Sequence, residues 1–381
     1  KKIELESISR ENLLEKKSFF LLGPRATGKS SLIIEQLGNA KIFDLIHAPT
    51  FSDLSRRPTL IEEYAKGSDK LIVIDEVQKL PNILDEVHRI IEKYDRKFLL
   101  TGSSARKLKH GNANLLAGRA WSTNLFPLCH QEITDFDLLK YLTIGGLPSV
   151  YTSKNPFEEL RAYTGTYLKE EIQAEAIVRK FESFITFLDI ASTKVGEEIV
   201  YESIANDCGV TPRTIQNFFE LLNDTLVGYT LRPFKKTKLR KSISRSKFYF
   251  FDIGVTHSLQ RKTSLQENSD DYGKAFEQFI ILELRAYLSY QRSYDELTFW
   301  RSQSGFEVDA IIGNKLAIEI KSTNLVQNKH LKNIKKLREE GLIKNYCIIS
   351  RDSEKRIIDG ITVYPWKEFL DALWGNKLEL V

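Results

Sequence analysis

The stretch that decides the fold of this chain is Gly23-Pro24-Arg25-Ala26-Thr27-Gly28-Lys29-Ser30, a complete G-x-x-x-x-G-K-[ST] motif. It follows the apolar run Ser18–Leu22, which predicts a strand, and it leads through Ser31 into an apolar segment that predicts a helix. In this strand–loop–helix context, glycines let consecutive backbone N–H groups turn inward and form an anion-binding nest at a helix N-terminus. Residues 23–31 therefore predict a site for nucleotide phosphates, against the alternative of a chance glycine-rich turn.

Polar side chains suited to phosphate chemistry lie in this loop and after the next buried strand. We expect Lys29 to reach the β- and γ-phosphates and the Ser30 hydroxyl to bind Mg²⁺. The run Leu71–Ile74 predicts a buried parallel strand that is followed by Asp75 and Glu76. Ligands bind at this carboxyl edge of an open α/β sheet, so Asp75 is placed to hold Mg²⁺, directly or through water, and Glu76 to polarise the attacking water. The alternative is that both acids merely cap the following helix.

Two further positions are candidates for stabilising the transferred phosphoryl group. The run Lys97–Gly102 predicts a third buried strand followed by Ser103 and Ser104, and a hydroxyl there can lie between the water and the γ-phosphate. Arg119, at the end of Leu115–Arg119, can stabilise transition-state charge in cis or from a neighbouring subunit. The alternatives are an ordinary polar turn for the serines and a solvated surface position for the arginine.

Length and composition indicate a globular protein of several domains. The chain has 381 residues, enough for two or three domains, with 42% hydrophobic and 28% charged residues. No apolar run approaches the ~20 residues of a membrane span, and the first residues lack the apolar core of a signal peptide, so we expect a cytoplasmic protein without a membrane partner. Cys129, Cys208 and Cys347 show neither metal-site nor disulfide spacing. The net charge of +5 is too small to indicate nucleic acid by itself.

The middle of the chain predicts helices and then a winged-helix-like module. Gly145–Ser149 marks a break after the first domain, and the apolar spacing over 157–191 is helical. Glu198–Asp224 predicts a helix–turn–helix, in which Thr211-Pro212 is a strong start signal for the second helix.

A strongly basic segment lies between two strand-like runs, Leu226–Leu231 and Lys247–Phe251. This segment, Arg232–Lys247, contains eight basic residues and no acidic one. At the tip of a wing beside DNA phosphates, such residues would release counterions on binding. The alternatives are a solvated hairpin or a winged helix that docks a protein, because the second helix of the pair is not itself strongly basic.

A helix Glu, a strand Asp and a Glu-x-Lys pair follow one another towards the C-terminus. Glu277 lies in a helix-like segment and Asp309 in a strand-like one, and a period of two puts Glu319 and Lys321 on one face of a further strand. Asp309 and Glu319 are suited to share a divalent metal while Lys321 orients or activates water. This order resembles the PD-(D/E)xK nuclease fold. An active nuclease and a degenerate binding domain both fit the pattern.

The ordered motifs together resemble prokaryotic AAA+-type P-loop ATPases that carry a C-terminal region of the DUF4143 family. The matching pieces are Gly23–Ser30, Ile72–Glu76, Phe98–Ser104, Ala117–Arg119, Leu125–Leu128, Gly145–Pro148, Phe248–Gly254 and the C-terminal acidic block. The resemblance implies an ATP-binding domain with a central parallel sheet, and a C-terminal domain of the nuclease-like fold. No Asn-Lys-x-Asp occurs, which disfavours guanine, and the Asp75-Glu76 pair favours water over a kinase substrate as acceptor.

The sequence thus predicts an α/β protein: a P-loop NTPase parallel sheet, a helical and winged-helix module, and a C-terminal restriction-endonuclease-like α/β domain. The expected boundaries are 1–140 for the ATPase, 141–195 for the helical segment, 196–262 for the winged-helix-like module and 263–381 for the DUF4143-type domain. With ATP and Mg²⁺ as ligands, the chain would hydrolyse ATP as a switch or motor on nucleic acid, alone or as an oligomer. The alternatives are an ATP-regulated module that docks a protein partner and has a degenerate nuclease-like domain, or an ATP-gated metal-dependent DNA nuclease.

Overall fold

The structure is a computed structural model that describes residues 17–103, 116, 118–168 and 181–378. The expectations for Ser104, Ala117 and the helical residues 169–180 lie outside this part of the chain. The chain forms two compact units. Unit 1 extends to Leu128 and includes Asp224–Val227, and unit 2 comprises Cys129–Asn223 and the residues from Gly228 onward.

Unit 1 is built on five parallel strands. They are β1 Ser18–Leu22, β2 Lys41–Asp44, β3 Ile72–Asp75, β4 Phe98–Gly102 and β5 Ala120–Asn124. Their order in the sheet is β2-β3-β4-β1-β5. The central strands β1, β3 and β4 are buried along their whole length, which is why each is a nearly continuous apolar run. The three strands predicted from the sequence are confirmed, and β2 and β5 form the edges.

Helices cover both faces of this sheet. They are α1 Lys29–Gln36, α2 Ala48–Arg56, α3 Leu60–Gly67 and α4 Ile83–Tyr94. Alternate residues of the central strands enter two separate apolar clusters, one with Leu32 and Ile33 of α1 and the other with side chains of α2, α3 and α4. Parallel strands need such crossover helices to connect them. Because β1, β3 and β4 run parallel, their carboxyl ends lie together on one side of the sheet.

Unit 2 begins with helices. Those from residue 129 onward are α5 Leu138–Ile144, α6 Pro148–Tyr151, α7 Pro156–Ala162, α8 Phe181–Thr193, α9 Tyr201–Cys208, α10 Pro212–Asp224, α11 Ile253–Leu259, α12 Asp270–Tyr290, α13 Lys332–Arg338 and α14 Trp366–Trp374. The predicted helix–turn–helix is the pair α9 and α10, whose turn places Gly209 at φ 63° and whose second helix is capped by the Thr211 hydroxyl. Across the described residues, every helix is too short or too polar to span a bilayer.

The second half of unit 2 is an eight-stranded mixed sheet. Its strands are β6 Gly228–Pro233, β7 Lys247–Phe250, β8 Leu297–Arg301, β9 Glu307–Ile312, β10 Leu316–Ile320, β11 Asn345–Ser350, β12 Arg356–Ile358 and β13 Ile361–Pro365. They lie in the order β12-β13-β11-β10-β9-β8-β6-β7. The strands predicted for the wing are β6 and β7, which pair antiparallel, and β6 also pairs in parallel with β8. The winged-helix-like module and the C-terminal domain, which the sequence led us to expect as separate, therefore share one sheet.

Two glycine-containing motifs of the middle region meet at one buried carboxylate. Asp252 caps α11 by accepting a hydrogen bond from the Val255 N–H (3.0 Å), and it also accepts one from the Gly146 N–H (2.7 Å). Gly145 has φ 76°, and a Cβ there would lie 2.2 Å from Asp252 Oδ1. Gly254 is equally confined, because its Cβ would lie 2.0 Å from the Ile144 carbonyl oxygen. These motifs fix the packing of α5 against α11.

Candidate functional site

The phosphate loop is a tight turn between β1 and α1. The Gly23 N–H donates to the Gly102 carbonyl (3.1 Å), and the Thr27 hydroxyl donates to the Pro24 carbonyl (2.8 Å). Gly28 has φ 91° at the start of α1, a left-handed conformation that favours glycine. A Cβ on Gly23 would lie 2.6 Å from the Leu125 carbonyl oxygen. Both glycines of the motif are thus required by the backbone that forms the anion-binding nest.

Lys29 lies within this loop. Its side chain is buried, and Nζ donates to the carbonyl oxygens of Gly23 (2.8 Å) and Pro24 (3.0 Å). The ammonium group is therefore held against the loop by neutral acceptors. A phosphate group is a stronger acceptor for this ammonium group than a carbonyl oxygen, because the phosphate oxygens carry negative charge.

The two predicted Mg²⁺ ligands lie side by side. The Ser30 hydroxyl donates to Asp75 Oδ2 (2.8 Å), although the residues come from α1 and the end of β3. On its other side Asp75 accepts a hydrogen bond from the Thr101 hydroxyl of β4, and the same hydroxyl accepts one from the Glu76 N–H (3.0 Å). An alcohol and a carboxylate are hard oxygen ligands of the kind that Mg²⁺ binds beside nucleotide phosphates. The residues present thus fit a magnesium ion.

Glu76 follows Asp75 in a strained conformation, with φ 61°. The side-chain amide of Gln78 donates to Glu76 Oε2 and to the Ser103 hydroxyl (2.8 Å). Gln78 Oε1 is buried and has no hydrogen-bond partner within the described residues. One amide thus connects the proposed water-activating acid with the proposed γ-phosphate hydroxyl. Sequence reasoning missed Gln78 and Thr101, although a buried-strand threonine and a glutamine just after the acidic pair are the available signals.

Arg119 does not reach this site within its own domain. It immediately precedes β5, whose first residue Ala120 pairs with Ser18 at the start of β1. The phosphate loop follows the carboxyl end of β1. Arg119 therefore lies at the amino ends of the strands, on the side of the sheet away from the loop. Its guanidinium group forms an ion pair with Glu92 of α4. Of the two roles considered for Arg119, this position does not support the one in cis, because parallel strands put their amino and carboxyl ends on opposite sides of the sheet.

The structure brings Asp309, Glu319 and Lys321 together in unit 2. Lys321 Nζ lies 2.8 Å from Glu319 Oε1 and 3.9 Å from Asp309 Oδ2. Asp309 Oδ2 also accepts a hydrogen bond from the Ile320 N–H (2.7 Å), across the antiparallel pair β9–β10. Burial, and secondarily the charge of Asp309, raise the pKa of Glu319 from 4.5 to about 8. Glu319 Oε2 is buried without a hydrogen-bond partner in the described part of the chain.

Glu277 has different partners. Its Oε1 accepts a hydrogen bond from the Tyr249 hydroxyl (2.6 Å) and lies 3.3 Å from Lys247 Nζ. Lys247 Nζ is also 2.5 Å from Glu307 Oε1. Among the described residues, no group of three His, Cys, Asp or Glu side chains is arranged to hold a metal. Within the part of the chain that the structure describes, the predicted metal ligands Asp309 and Glu319 are therefore a pair without a third acidic or imidazole ligand.

Hydrogen bonds and ion pairs attach part of the basic segment Arg232–Lys247 to the rest of unit 2. Glu340 Oε2 accepts hydrogen bonds from the Lys238 and Leu239 N–H groups (2.8 Å each), and Arg240 forms ion pairs with Glu339 and Glu340. Lys247 is only 2% exposed. The remaining basic side chains are exposed: Arg232, Lys235, Lys236, Lys238, Lys241 and Arg245. The positive surface is thus smaller than the sequence suggests, because three of the eight cations, Arg240, Arg245 and Lys247, face acids of unit 2.

The geometry of unit 1 defines a P-loop nucleotide-binding domain. Comparison with protein families agrees: residues 15–134 match the family described as AAA domain, and residues 272–369 match DUF4143, a domain of unknown function. Residues 135–266 match another domain of unknown function, DUF8612, which spans both the helical segment and the helix–turn–helix. The chain therefore combines an AAA+-type nucleotide-binding domain with a C-terminal DUF4143 domain, as the sequence motifs predicted.

Two related proteins and two solved structures are similar to this chain. The uncharacterized proteins Mb2031c of Mycobacterium bovis and Rv2008c of Mycobacterium tuberculosis are each 23% identical over 317 residues, which is 80% of this chain and 70% of theirs. A chain in the structure of Drosophila ORC bound to AT-rich DNA and Cdc6 is 8% identical, with 68% of this chain and 90% of that chain covered and a TM-score of 0.25. Caenorhabditis elegans PCH-2 is 16% identical, with coverages of 58% and 64% and a TM-score of 0.22.

Proposed function

We propose that unit 1 binds ATP with Mg²⁺ and hydrolyses it, and that the protein uses this cycle as a switch or motor on nucleic acid. The observation that carries the proposal is the 2.8 Å contact between the Ser30 hydroxyl and Asp75 beside the phosphate loop. Two elements distant in sequence supply these ligands, and an acid follows directly. A merely structural loop would not require this combination of groups.

Each residue of the loop edge has a role that its position supports. Backbone N–H groups of the loop bind phosphate oxygens, and Lys29 leaves the loop carbonyls to contact the β- and γ-phosphates. Ser30 and Asp75 hold Mg²⁺, which when bound neutralises charge on the phosphates. Glu76 accepts the proton of the attacking water, and Ser103 contacts the γ-phosphate side of that water. For both to act, the Gln78 amide must release Glu76.

The exposed cations of the basic segment support nucleic acid as the partner. Lysine and arginine side chains beside phosphates release counterions, so affinity that falls steeply with salt is the expected signature. The rival is a protein partner docked by the same unit, with nucleotide as regulator. For the C-terminal domain, the pairing of its acids with lysines favours binding over cutting. An arginine finger, if this chain uses one, would come from a neighbouring subunit.

The decisive measurement is ATP turnover with and without duplex or single-stranded DNA, at several salt concentrations. We expect DNA to stimulate turnover in the wild type, and Lys235, Lys236 and Lys241 changed together to serine to reduce that stimulation. The matched control changes three exposed lysines outside the segment, Lys154, Lys329 and Lys344, to serine. Turnover that no DNA alters would favour the protein-docking rival.

Site variants test the chemistry separately. Lys29→Ala should lose ATP binding, whereas Glu76→Gln should bind ATP yet turn it over about 100-fold or more slowly, as expected for loss of a general base. Normal turnover in Glu76→Gln would refute the assignment of that residue. DNA incubated with Mg²⁺ or Mn²⁺ should stay intact, and cleavage that is lost in Lys321→Ala would instead establish the nuclease alternative.

A further inference from the structure

A buried lysine lies in the acidic centre of unit 2. Lys247 opens β7, and only 2% of its surface is exposed. Its Nζ lies 2.5 Å from Glu307 and 3.3 Å from Glu277, and 5.2 Å from the centre of the Phe299 ring. Removing an ammonium ion from water is strongly unfavourable unless opposite charges and hydrogen bonds compensate. Both carboxylates compensate the charge of this lysine, and Glu307 also forms an ion pair with Arg301 at 2.9 Å.

The electrostatics agree with a permanently charged group. Burial by itself would lower the pKa of Lys247, but the charges of Glu277, Asp309 and Glu307 raise it well above its ordinary value. The Tyr249 hydroxyl donates to the same Glu277 oxygen that faces Lys247. Glu277 is thus satisfied by one cation and one neutral donor from β7. With these two partners, Glu277 is not available as a third metal ligand beside Asp309 and Glu319.

Lys321 plays a comparable part for the other two acids. It contacts Glu319 at 2.8 Å and approaches Asp309 at 3.9 Å. Lys321 belongs to the Glu-x-Lys pattern itself and so does not distinguish a working nuclease from a degenerate one. Lys247 does distinguish a working nuclease from a degenerate one, because it comes from the basic segment and is not part of the Glu-x-Lys pattern.

We propose that Lys247 is a built-in cation that takes the place of a divalent metal in the acidic centre of the DUF4143 domain. Mg²⁺ binds through one or two carboxylates and several waters, and its hydration shell needs space as well as negative charge. Here the buried Lys247 already neutralises Glu277, and it shares Glu307 with Arg301. The centre is accordingly a structural ion network, and the domain binds its partner without cutting it. This inference concerns unit 2 and does not depend on ATP hydrolysis in unit 1.

The test is the response of the full-length, nucleotide-free protein to Mn²⁺. Thermal unfolding is followed with and without millimolar Mn²⁺ for the wild type and for Lys247→Met. We expect Lys247→Met to lower the melting temperature by roughly 10 °C, because it leaves Glu277 without its cation and Glu307 with Arg301 alone. Mn²⁺ should restore part of this loss in Lys247→Met and leave the wild type unchanged. The matched control is Lys241→Met, an exposed lysine of the same segment, which should change neither quantity.

Two further variants keep the test decisive. Lys247→Met combined with Glu277→Gln removes both charges with similar shape, and it should fold and melt near the wild type even if the single variant does not fold. In Asp309→Asn, Mn²⁺ should still have no effect. The proposal is overturned if the wild type is stabilised by Mn²⁺ and loses this response in Asp309→Asn, or if Lys247→Met is as stable as the control.

Discussion

Replacing Gln78 by leucine should speed ATP turnover. The Gln78 amide donates to Glu76 Oε2 and to the Ser103 hydroxyl, and only 8% of the residue is exposed. A carboxylate held in this way cannot turn freely to a water molecule. Leucine has a similar volume and removes the donor, while the lost Oε1 had no hydrogen-bond partner within the described residues. The substitution therefore mainly releases Glu76.

The magnitude follows from the strength of that hydrogen bond. A hydrogen bond to a charged group contributes about 1.5–3 kcal/mol, and each 1.36 kcal/mol of barrier is a factor of ten in rate, so the ceiling is roughly 10- to 100-fold. Water will solvate part of the released carboxylate, so we expect kcat to rise by about tenfold while KM stays the same. The assay is steady-state phosphate release at saturating Mg²⁺ and ATP, with nucleotide affinity measured separately.

The matched control is the same substitution in the Glu76→Gln background. If Gln78 acts by restraining Glu76, Gln78→Leu should have no effect there, and the two changes should be strongly non-additive. A fall in kcat for Gln78→Leu alone would refute this reasoning. It would mean that the amide positions Glu76 for catalysis rather than holding it back.

Three further predictions concern stability. Thr101→Val keeps the side-chain shape but removes the hydroxyl that contacts the buried Asp75 carboxylate and the Glu76 N–H. We therefore expect urea unfolding to show unit 1 destabilised by about 3 kcal/mol, and an unchanged unfolding midpoint would contradict this prediction. Gly145→Ala places a Cβ 2.2 Å from Asp252 Oδ1 at a left-handed φ, so unit 2 should lose at least about 2 kcal/mol, seen as a lower melting temperature. Burial raises the pKa of Glu283 from 4.5 to about 7, so the folded state keeps a proton that the unfolded state releases. Relative to Glu283→Gln, the free energy of unfolding of the wild type should therefore fall by about 3 kcal/mol as the pH rises from 4.5 to 7. Parallel pH profiles of the two proteins in urea unfolding would refute the shift.

The sequence was sufficient for the nucleotide-binding domain because its signals are local. The loop at Gly23–Ser30 carries its own strand and helix, and the apolar runs before Asp75 and Ser103 are typical of buried strands. Their polar ends then had to meet at one edge of a parallel sheet. Thr101 was missed because its role depends on the register of β4 against β3, which places it beside Asp75. Gln78 was missed because it lies after β3, in a turn whose contacts with Glu76 and Ser103 no local pattern predicts.

The basic segment shows where local patterns fail. Eight cations in sixteen residues predict a solvated face, and most of them are exposed. Lys247 nevertheless lies in the interior, since β6 pairs with β8 and carries its partner β7 into the C-terminal sheet. That pairing joins residues far apart in sequence, so the charge of Lys247 gave no sign that its counter-ions would be Glu277 and Glu307.

The two candidate sites both contain buried carboxylates, yet their partners give them opposite chemistry. In unit 1, Asp75 and Glu76 are held by hydroxyl and amide groups, which are neutral and leave the negative charge in place. A magnesium ion or a polarised water can replace such partners with a gain in electrostatic energy. In unit 2, the acids around Lys247 face an ammonium ion, so an incoming divalent cation would first have to displace a charge that is already neutralising the site. Burial of acids alone therefore does not identify a metal site. The charge of the groups that satisfy the acids does, and by that criterion the acids beside the phosphate loop are better suited to a metal ion than those around Lys247.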